Sequence, residues 1–234
     1  MKKQDISALL RRELQAVKNE RQIARSSDGA RAARDAVKLF QSRRMARTHA
    51  DLLAAPSSHA AARFFLDDLY GIKDMTQRDT DIERIIPTME RLLPAPALAA
   101  ITEAIVLDAM SESLDTAMAS CLGDAVDEER YVAAYRDVTT PEARARQLAH
   151  VQSLGDSLCQ LVRTPLLGAT LMMMRGPAEL AGLSDLHSFL HQGFSAFKAM
   201  RDPRAFVSTI VSRETLIMKN LFDGLPEPFL LERK

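Results

Sequence analysis

Four groups of residues in this 234-residue chain have types and spacings that could do chemistry. The first surrounds a turn at Pro56-Ser57-Ser58. If the flanking helices fold back on each other there, Arg47 comes beside Leu66 and Asp67, and Arg43 and Arg44 come beside Asp68 to Tyr70. Asp67 and Asp68 fall in the last turn of their helix, where the macrodipole disfavours a carboxylate by about 0.3–1 kcal/mol, so cationic partners are expected. His49, Asp51, Asp74, Arg78, Asp79 and Asp81 crowd the same end. The plainer reading of this mixture is a salt-bridged helix junction. The sharper one is a binding site for a polar ligand, a cation or another protein, built from Arg43, Arg44, Arg47, His49, Asp51, Asp67, Asp68, Tyr70, Arg78 and Asp79.

In the second group, Asp108, Glu112 and Asp115 stand at i, i+4 and i+7, on one face of an apolar helix. Carboxylates so placed on bundle helices can hold two metal ions, but such sites also draw a Glu-x-x-His from partner helices, and this sequence contains none. A solvated stripe, or ion pairs to Arg144 or Arg146, is expected instead. Third, His187 and His191 are four apart and could share a metal ion. Two ligands do not make a site, and the apolar stripe through Leu186, Phe189, Leu190, Phe194 and Phe197 leaves both histidines at its margin. Fourth, Leu166, Leu167 and Leu171-Met172-Met173-Met174 are apolar around a whole helix. Methionine adapts to irregular partners, so a cavity lining or a subunit interface is conceivable, with ordinary core the favoured reading.

Phosphate loops, dinucleotide fingerprints, paired Cys-x-x-Cys, His-Glu-x-x-His and nucleophile elbows are all missing from the sequence. No catalytic residue, metal or cofactor is assigned, and the balance leans away from an enzyme. Cys121 and Cys159 are flanked by apolar helical residues, which suits buried thiols in a reducing compartment. The longest strongly apolar run, Leu166 to Met174, is too short for a bilayer of roughly 30 Å. Charged residues at Arg11, Arg12 and Glu13 interrupt the first apolar stretch before a signal-peptide core can form. A cytoplasmic protein that does not enter the membrane is expected.

Formal net charge is zero, yet unevenly spread. Residues 1–50 carry 13 Lys and Arg against 5 Asp and Glu, a net +8; residues 51–137 carry 7 against 17, a net −10; the remainder is +2. The basic start could bind nucleic acid or anionic lipid. Folding of the acidic middle against the basic beginning is the favoured reading, since no recognisable nucleic-acid module frames the arginines and Phe40 is the only aromatic among them.

These groups must be positioned by helices, because apolar residues recur at spacings of three and four and no stretch alternates with period two. The pattern predicts an all-α fold: one bundle-like domain of about ten helices, with a basic N-terminal helix over residues 1–27 packed on a main helical domain over 28–234. The first helix spans Asp5 to Arg25, with Ile6, Leu9, Leu10, Leu14, Val17 and Ile23 on its stripe. A long hairpin follows, from Gly29 to Ala54 and from His59 to Tyr70, closed by Gly71. Thr76 and Asp79 resemble a capping box, opening a helix to Leu93 that Pro87 should kink. An Ala-rich, central helix runs from Ala97 to Leu122. Asp127, Thr140-Pro141, Thr164-Pro165, Ser184 and Asp202-Pro203 read as helix starts, and Gly176-Pro177 as a stop. The tail from Gly224 to Leu231 ends apolar and should dock on its own chain or a neighbour's.

The string Arg63-Phe64-Phe65-Leu66-Asp67-Asp68-Leu69-Tyr70-Gly71 carries a family likeness, together with Arg47-Thr48-His49-Ala50-Asp51-Leu52-Leu53, Gln77-Arg78-Asp79, Arg175-Gly176-Pro177-Ala178 and Gly193-Phe194-Ser195-Ala196-Phe197. It resembles an uncharacterised bacterial family of all-helical proteins, over nearly the whole chain. The resemblance implies a bacterial cytosolic protein and brings no activity, cofactor or partner with it. On the residues alone, the favoured function is a non-catalytic helical protein acting through protein contacts, as a homodimer. The alternatives are a small-molecule or metal-binding enzyme with an interhelical pocket, and nucleic-acid binding through the basic helices.

Overall fold

Stripes of apolar side chains returning every three or four residues need a partner surface, and here they find it around one long helix. The structure, a computed structural model, describes residues 2–69 and 75–231, with the side chains of Asp68 and Leu69 set aside. Those residues form twelve α-helices and no strand: α1 Lys3–Ala24, α2 Asp28–Thr48, α3 Ala50–Ala54, α4 His59–Phe64, α5 Thr76–Leu92, α6 Ala95–Leu122, α7 Glu128–Val138, α8 Pro141–Leu161, α9 Leu167–Met173, α10 Arg175–Leu180, α11 Ser184–Ala199 and α12 Pro203–Asp223. A π-helical turn, Phe65–Leu69, prolongs α4.

The 28-residue α6 is the axis, packed by α1, α2, α7 and α8. Ile6, Leu10, Leu14 and Val17 of α1 are buried against Leu98 and Ile105 of α6, Ile82 and Ile86 of α5, and Leu186 of α11. Burying side chains of this kind stabilises by roughly 1.5–3 kcal/mol each, so Leu10→Ala alone would cost about 2–5 kcal/mol. Ile23, the last member of the expected stripe, is exposed. A second core joins α2, α6, α7 and α12, and a third joins α4, α8, α11 and α12. At the α8–α12 crossing Gly155 lies directly against Val207. The C-terminal tail docks on its own chain: Pro228 is fully buried, its carbonyl accepts from Asn220 Nδ2 at 3.2 Å, and Phe229 packs on Phe40 and Tyr131.

Helix starts follow the sequence where a side chain reaches a free N–H. Asp127, Thr140 and Asp202 accept from the backbone amides of Arg130, Ala143 and Ala205, with Pro141 and Pro203 at the first helical position. Other signals fail. The helix predicted over 29–54 divides at His49. Thr76 and Asp79 form no capping box; Met75 is the cap residue of α5, and the Asp79 carboxylate is drawn inward to arginines. Thr164-Pro165 starts nothing, because α9 begins at Leu167 behind Leu166 in the left-handed region, φ 65°. Leu183, not Ser184, caps α11. Gly176-Pro177 falls inside the first turn of α10 rather than ending a helix, which is tolerated because proline's missing N–H would be unpaired there anyway.

Candidate functional site

The acidic face of α6 is the point where the charged segments of the chain meet. Asp108, Glu112 and Asp115 point inward rather than to solvent. Arg21 of α1 reaches Asp108 at 3.0 Å and pairs with Asp79 of α5. Arg78 bridges Asp79 at 3.0 Å and Asp108 at 2.6 Å. Glu112 pairs with Arg34 and, at 2.9 Å, with Lys38, both of α2. Asp115 lies 3.2 Å from Arg34 and accepts from Gln41 Nε2 at 2.9 Å. The partners are therefore not Arg144 and Arg146, as the helix face suggests, but Arg21, Arg34 and Lys38 from the basic start of the chain, joined by Arg78 of α5. That start folds against the acidic middle, as the uneven charge predicts.

Burial raises the Glu112 carboxyl, but Arg34, Lys38 and Arg21 offset this and hold it below its ordinary range. Burial pulls Arg34 and Lys38 down, with Glu112 opposing it. Arg21 is likewise desolvated, yet Asp108, Asp79 and Glu112 together raise it. Charges so enclosed depend on one another, because removing one partner leaves the other uncompensated at a cost of about 3–5 kcal/mol.

The polar hub expected beside the Pro56 turn is dispersed. Arg44 turns away from the hairpin to Glu214 of α12, with its Nη1 2.6 Å from the carboxylate, and His49 Nε2 meets the same carboxylate at 2.9 Å. Asp51 takes Arg213 instead, at 2.6 Å. Asp67 pairs with Arg63 one turn back at 2.8 Å, not with Arg47, which stands on the surface 4.0 Å from Glu128. Arg43 is exposed. Arg78 and Asp79 belong to the α6 network. Tyr70, Asp74 and the Asp68 side chain lie outside the described residues. Among the described residues of the ten, Arg44 and His49 meet on one carboxylate, that of Glu214, and Arg78 pairs with Asp79. The hub disperses because α3 and the π-helical turn rotate the hairpin's side chains out of simple mirror register.

Glu214, Arg21, Arg34, Lys38 and Arg144 were not among the expected site residues. A signal for some of them exists: Glu214 interrupts the stripe Ile210, Ile217, Leu221, and Arg144 stands one turn before Leu148 on the stripe that continues through Val151 and Gly155. A charged residue on a core stripe must find a buried partner or a ligand.

Between α2, α6, α8 and α12, and reaching towards α5 and α11, lies a partly open interhelical cavity of about 260 Å³. Its walls are mainly aliphatic and aromatic, among them Ile101, Ile105, Leu148, Val151, Phe206 and Ile210. The charge network lines one side of it through Lys38, Arg78, Asp108, Glu112 and Asp115, and Arg44, Glu214, Tyr131, Tyr135, Gln147 and Arg144 are among its other polar groups. The volume sits just under the usual span of small-molecule pockets, about 300–1,000 Å³.

Elsewhere, His187 donates its Nε2–H to the Leu171 carbonyl, 2.7 Å away, and stacks on His191 at 6.0 Å between centroids. Among the described residues no group of three His, Cys, Asp or Glu side chains is arranged to hold a metal ion, and no helix is long and apolar enough to cross a membrane. Cys159 is buried but Cys121, contrary to the reading of both as buried, is exposed. The apolar run expected as core is on the surface: Leu166, Met172, Met173 and Met174 are exposed, as is Leu180 beside them.

Fold and site together define a multi-helix, all-α protein whose interior holds a charge network beside a largely apolar cavity. The chain belongs to the family described as Domain of unknown function (DUF8198), which matches residues 20–228. No curated protein and no solved structure matches it.

Proposed function

We propose that the protein is a non-catalytic, cytoplasmic binding protein that holds a small, largely apolar molecule between α2, α6, α8 and α12. The interhelical cavity carries this reading, because close-packed helices leave few gaps larger than a water molecule between them, and this one, at about 260 Å³, is far larger. Walls that are mainly apolar, with the carboxylates among them already paired, suit a ligand better than trapped water. Two unpaired cysteines support a reducing compartment. The test uses a neutral, environment-sensitive naphthylamine dye, whose fluorescence should rise saturably at one dye per chain and fail to do so in Leu148→Trp, which fills the cavity. Absence of saturable binding by the unaltered protein would overturn the reading.

A second reading, in which the protein acts through contacts with a second copy, is favoured by the surface of α9 and α10. Leu166, just before α9, Met173 at its end and Leu180 at the end of α10 are 79%, 73% and 94% exposed, and clustered exposed apolar residues mark interaction surfaces. Light scattering should then give twice the monomer mass, reverting to one in Met173→Glu with Leu180→Glu. A monomer at all concentrations would eliminate it.

A further inference from the structure

Resting on the reading of the cavity as a ligand site, we infer that the ligand is a monoanion, an aliphatic or aromatic carboxylate whose carboxyl group is received by Arg144. Four carboxylates line the cavity, and each already has a cation: Asp108 has Arg21 and Arg78, Glu112 has Arg34 and Lys38, Asp115 has Arg34, and Glu214 has Arg44. Of the lysines and arginines on the wall, Lys38, Arg44 and Arg78 are thereby matched. Arg144 is different. It is 6% exposed, and among the described residues no carboxylate lies within 4.0 Å of it.

Its position is nevertheless fixed with care. The guanidinium lies over the Tyr135 ring, 4.3 Å from the centroid. Nη1 donates to Gln147 Oε1 at 3.1 Å, and Gln147 Nε2 is itself held by Ser111 Oγ at 2.9 Å. Nε donates weakly to Thr139 Oγ1 at 3.5 Å. Nη2 is buried and has no partner. A buried cation without an opposite charge is costly by several kcal/mol, and stacking on an aromatic face leaves the in-plane N–H edge open for a planar, bidentate acceptor. A carboxylate matches that edge in charge and planarity. One unmatched cation calls for one negative charge, which disfavours a phosphate dianion, and the aliphatic walls call for an apolar body. The cavity's modest volume sets the ligand below drug size.

The probes are octanoate, 1-octanol and octylammonium, each titrated into the full chain by calorimetry and by displacement of the neutral dye. Octanoate should bind at least tenfold more tightly than 1-octanol, and octylammonium more weakly than either. In Arg144→Met the preference for octanoate over 1-octanol should be lost, with Arg144→Lys in between. If the methionine variant does not fold, the lysine variant and the three-probe ranking on the unaltered protein decide the matter. Equal binding of octanoate and 1-octanol, or an Arg144→Met that keeps the octanoate preference, overturns the inference while leaving the cavity reading intact. Failure of the neutral dye and 1-octanol alike, with octanoate also silent, overturns both.

Discussion

Arg44, near the end of α2, and Glu214, in the middle of α12, meet at 2.6 Å although 170 positions separate them, and both are largely buried. Burial lowers the arginine's affinity for its proton, but Glu214 more than offsets this and the pKa is raised. Either side chain alone would be an uncompensated charge. Arg44→Met or Glu214→Leu should each lower the unfolding free energy by about 3–5 kcal/mol, and the double replacement should cost clearly less than the sum. Denaturant titration of the four proteins measures this; strict additivity would show that the pair is not coupled.

Acid stability should track the same carboxylate. Burial pushes Glu214 up, but Arg44 and His49 bring it down to about 2. A depressed carboxylate contributes stability in full above its unfolded value near 4.5 and loses it as pH falls towards about 2, because the unfolded chain binds the proton first. The contribution is at most about 3 kcal/mol. Asp51 is also lowered to about 2, chiefly by its hydrogen bond from Arg213, but it is exposed and solvent screening leaves it little weight. Thermal midpoints between pH 6 and pH 3 should therefore drop less in Glu214→Gln than in the unaltered protein, while Asp51→Asn should follow the unaltered curve.

Gly155 and Val207 predict a steric coupling. A Cβ on Gly155 would stand 2.5 Å from Val207 Cγ1 and 2.7 Å from Cγ2, and a β-branched valine has little freedom to turn away. Gly155→Ala should destabilise by about 1–3 kcal/mol, although alanine is otherwise the better helix former. Adding Val207→Ala should recover part of the loss, read as a favourable coupling in a double-mutant cycle of denaturant midpoints.

The two cysteines should separate by reactivity. Cys121 is exposed, whereas Cys159 is buried and burial raises its thiol pKa, which lowers the thiolate fraction that reacts. A chromogenic disulfide reagent should titrate one thiol quickly in the native protein and both in denaturant. Cys121→Ser should abolish the fast phase.

Removal of Glu112 should be among the most damaging single changes on α6. It is 4% exposed and answers both Arg34 and Lys38, so Glu112→Ala should cost about 3–5 kcal/mol, by the same desolvation argument. Urea unfolding followed by circular dichroism measures it.

Much of the architecture was legible from spacing alone. Periodicity near 3.6 locates α1, α6, α8 and α12 because a helix packed on one side must repeat its apolar contacts with every turn. Caps at Asp127, Thr140 and Asp202 were legible because the bonds that satisfy them are local, closed within three residues. Signals failed where local chemistry was outbid by distant partners: Asp79 gives up a capping role to Arg21 and Arg78, and Thr164-Pro165 yields to a start at Leu167.

What the sequence by itself determined is the helical class, the positions of most helices and the fact that a basic beginning must answer an acidic middle. Only the tertiary structure decided which cation meets which carboxylate. Helix crossings and the break at His49 set the rotation of each face, and a rotation of one residue, about 100°, moves a side chain from core to solvent. That is why Arg44 finds Glu214 rather than its hairpin neighbour, why the methionines after Leu171 stand outside, and why Arg144 is left facing a cavity with no carboxylate beside it.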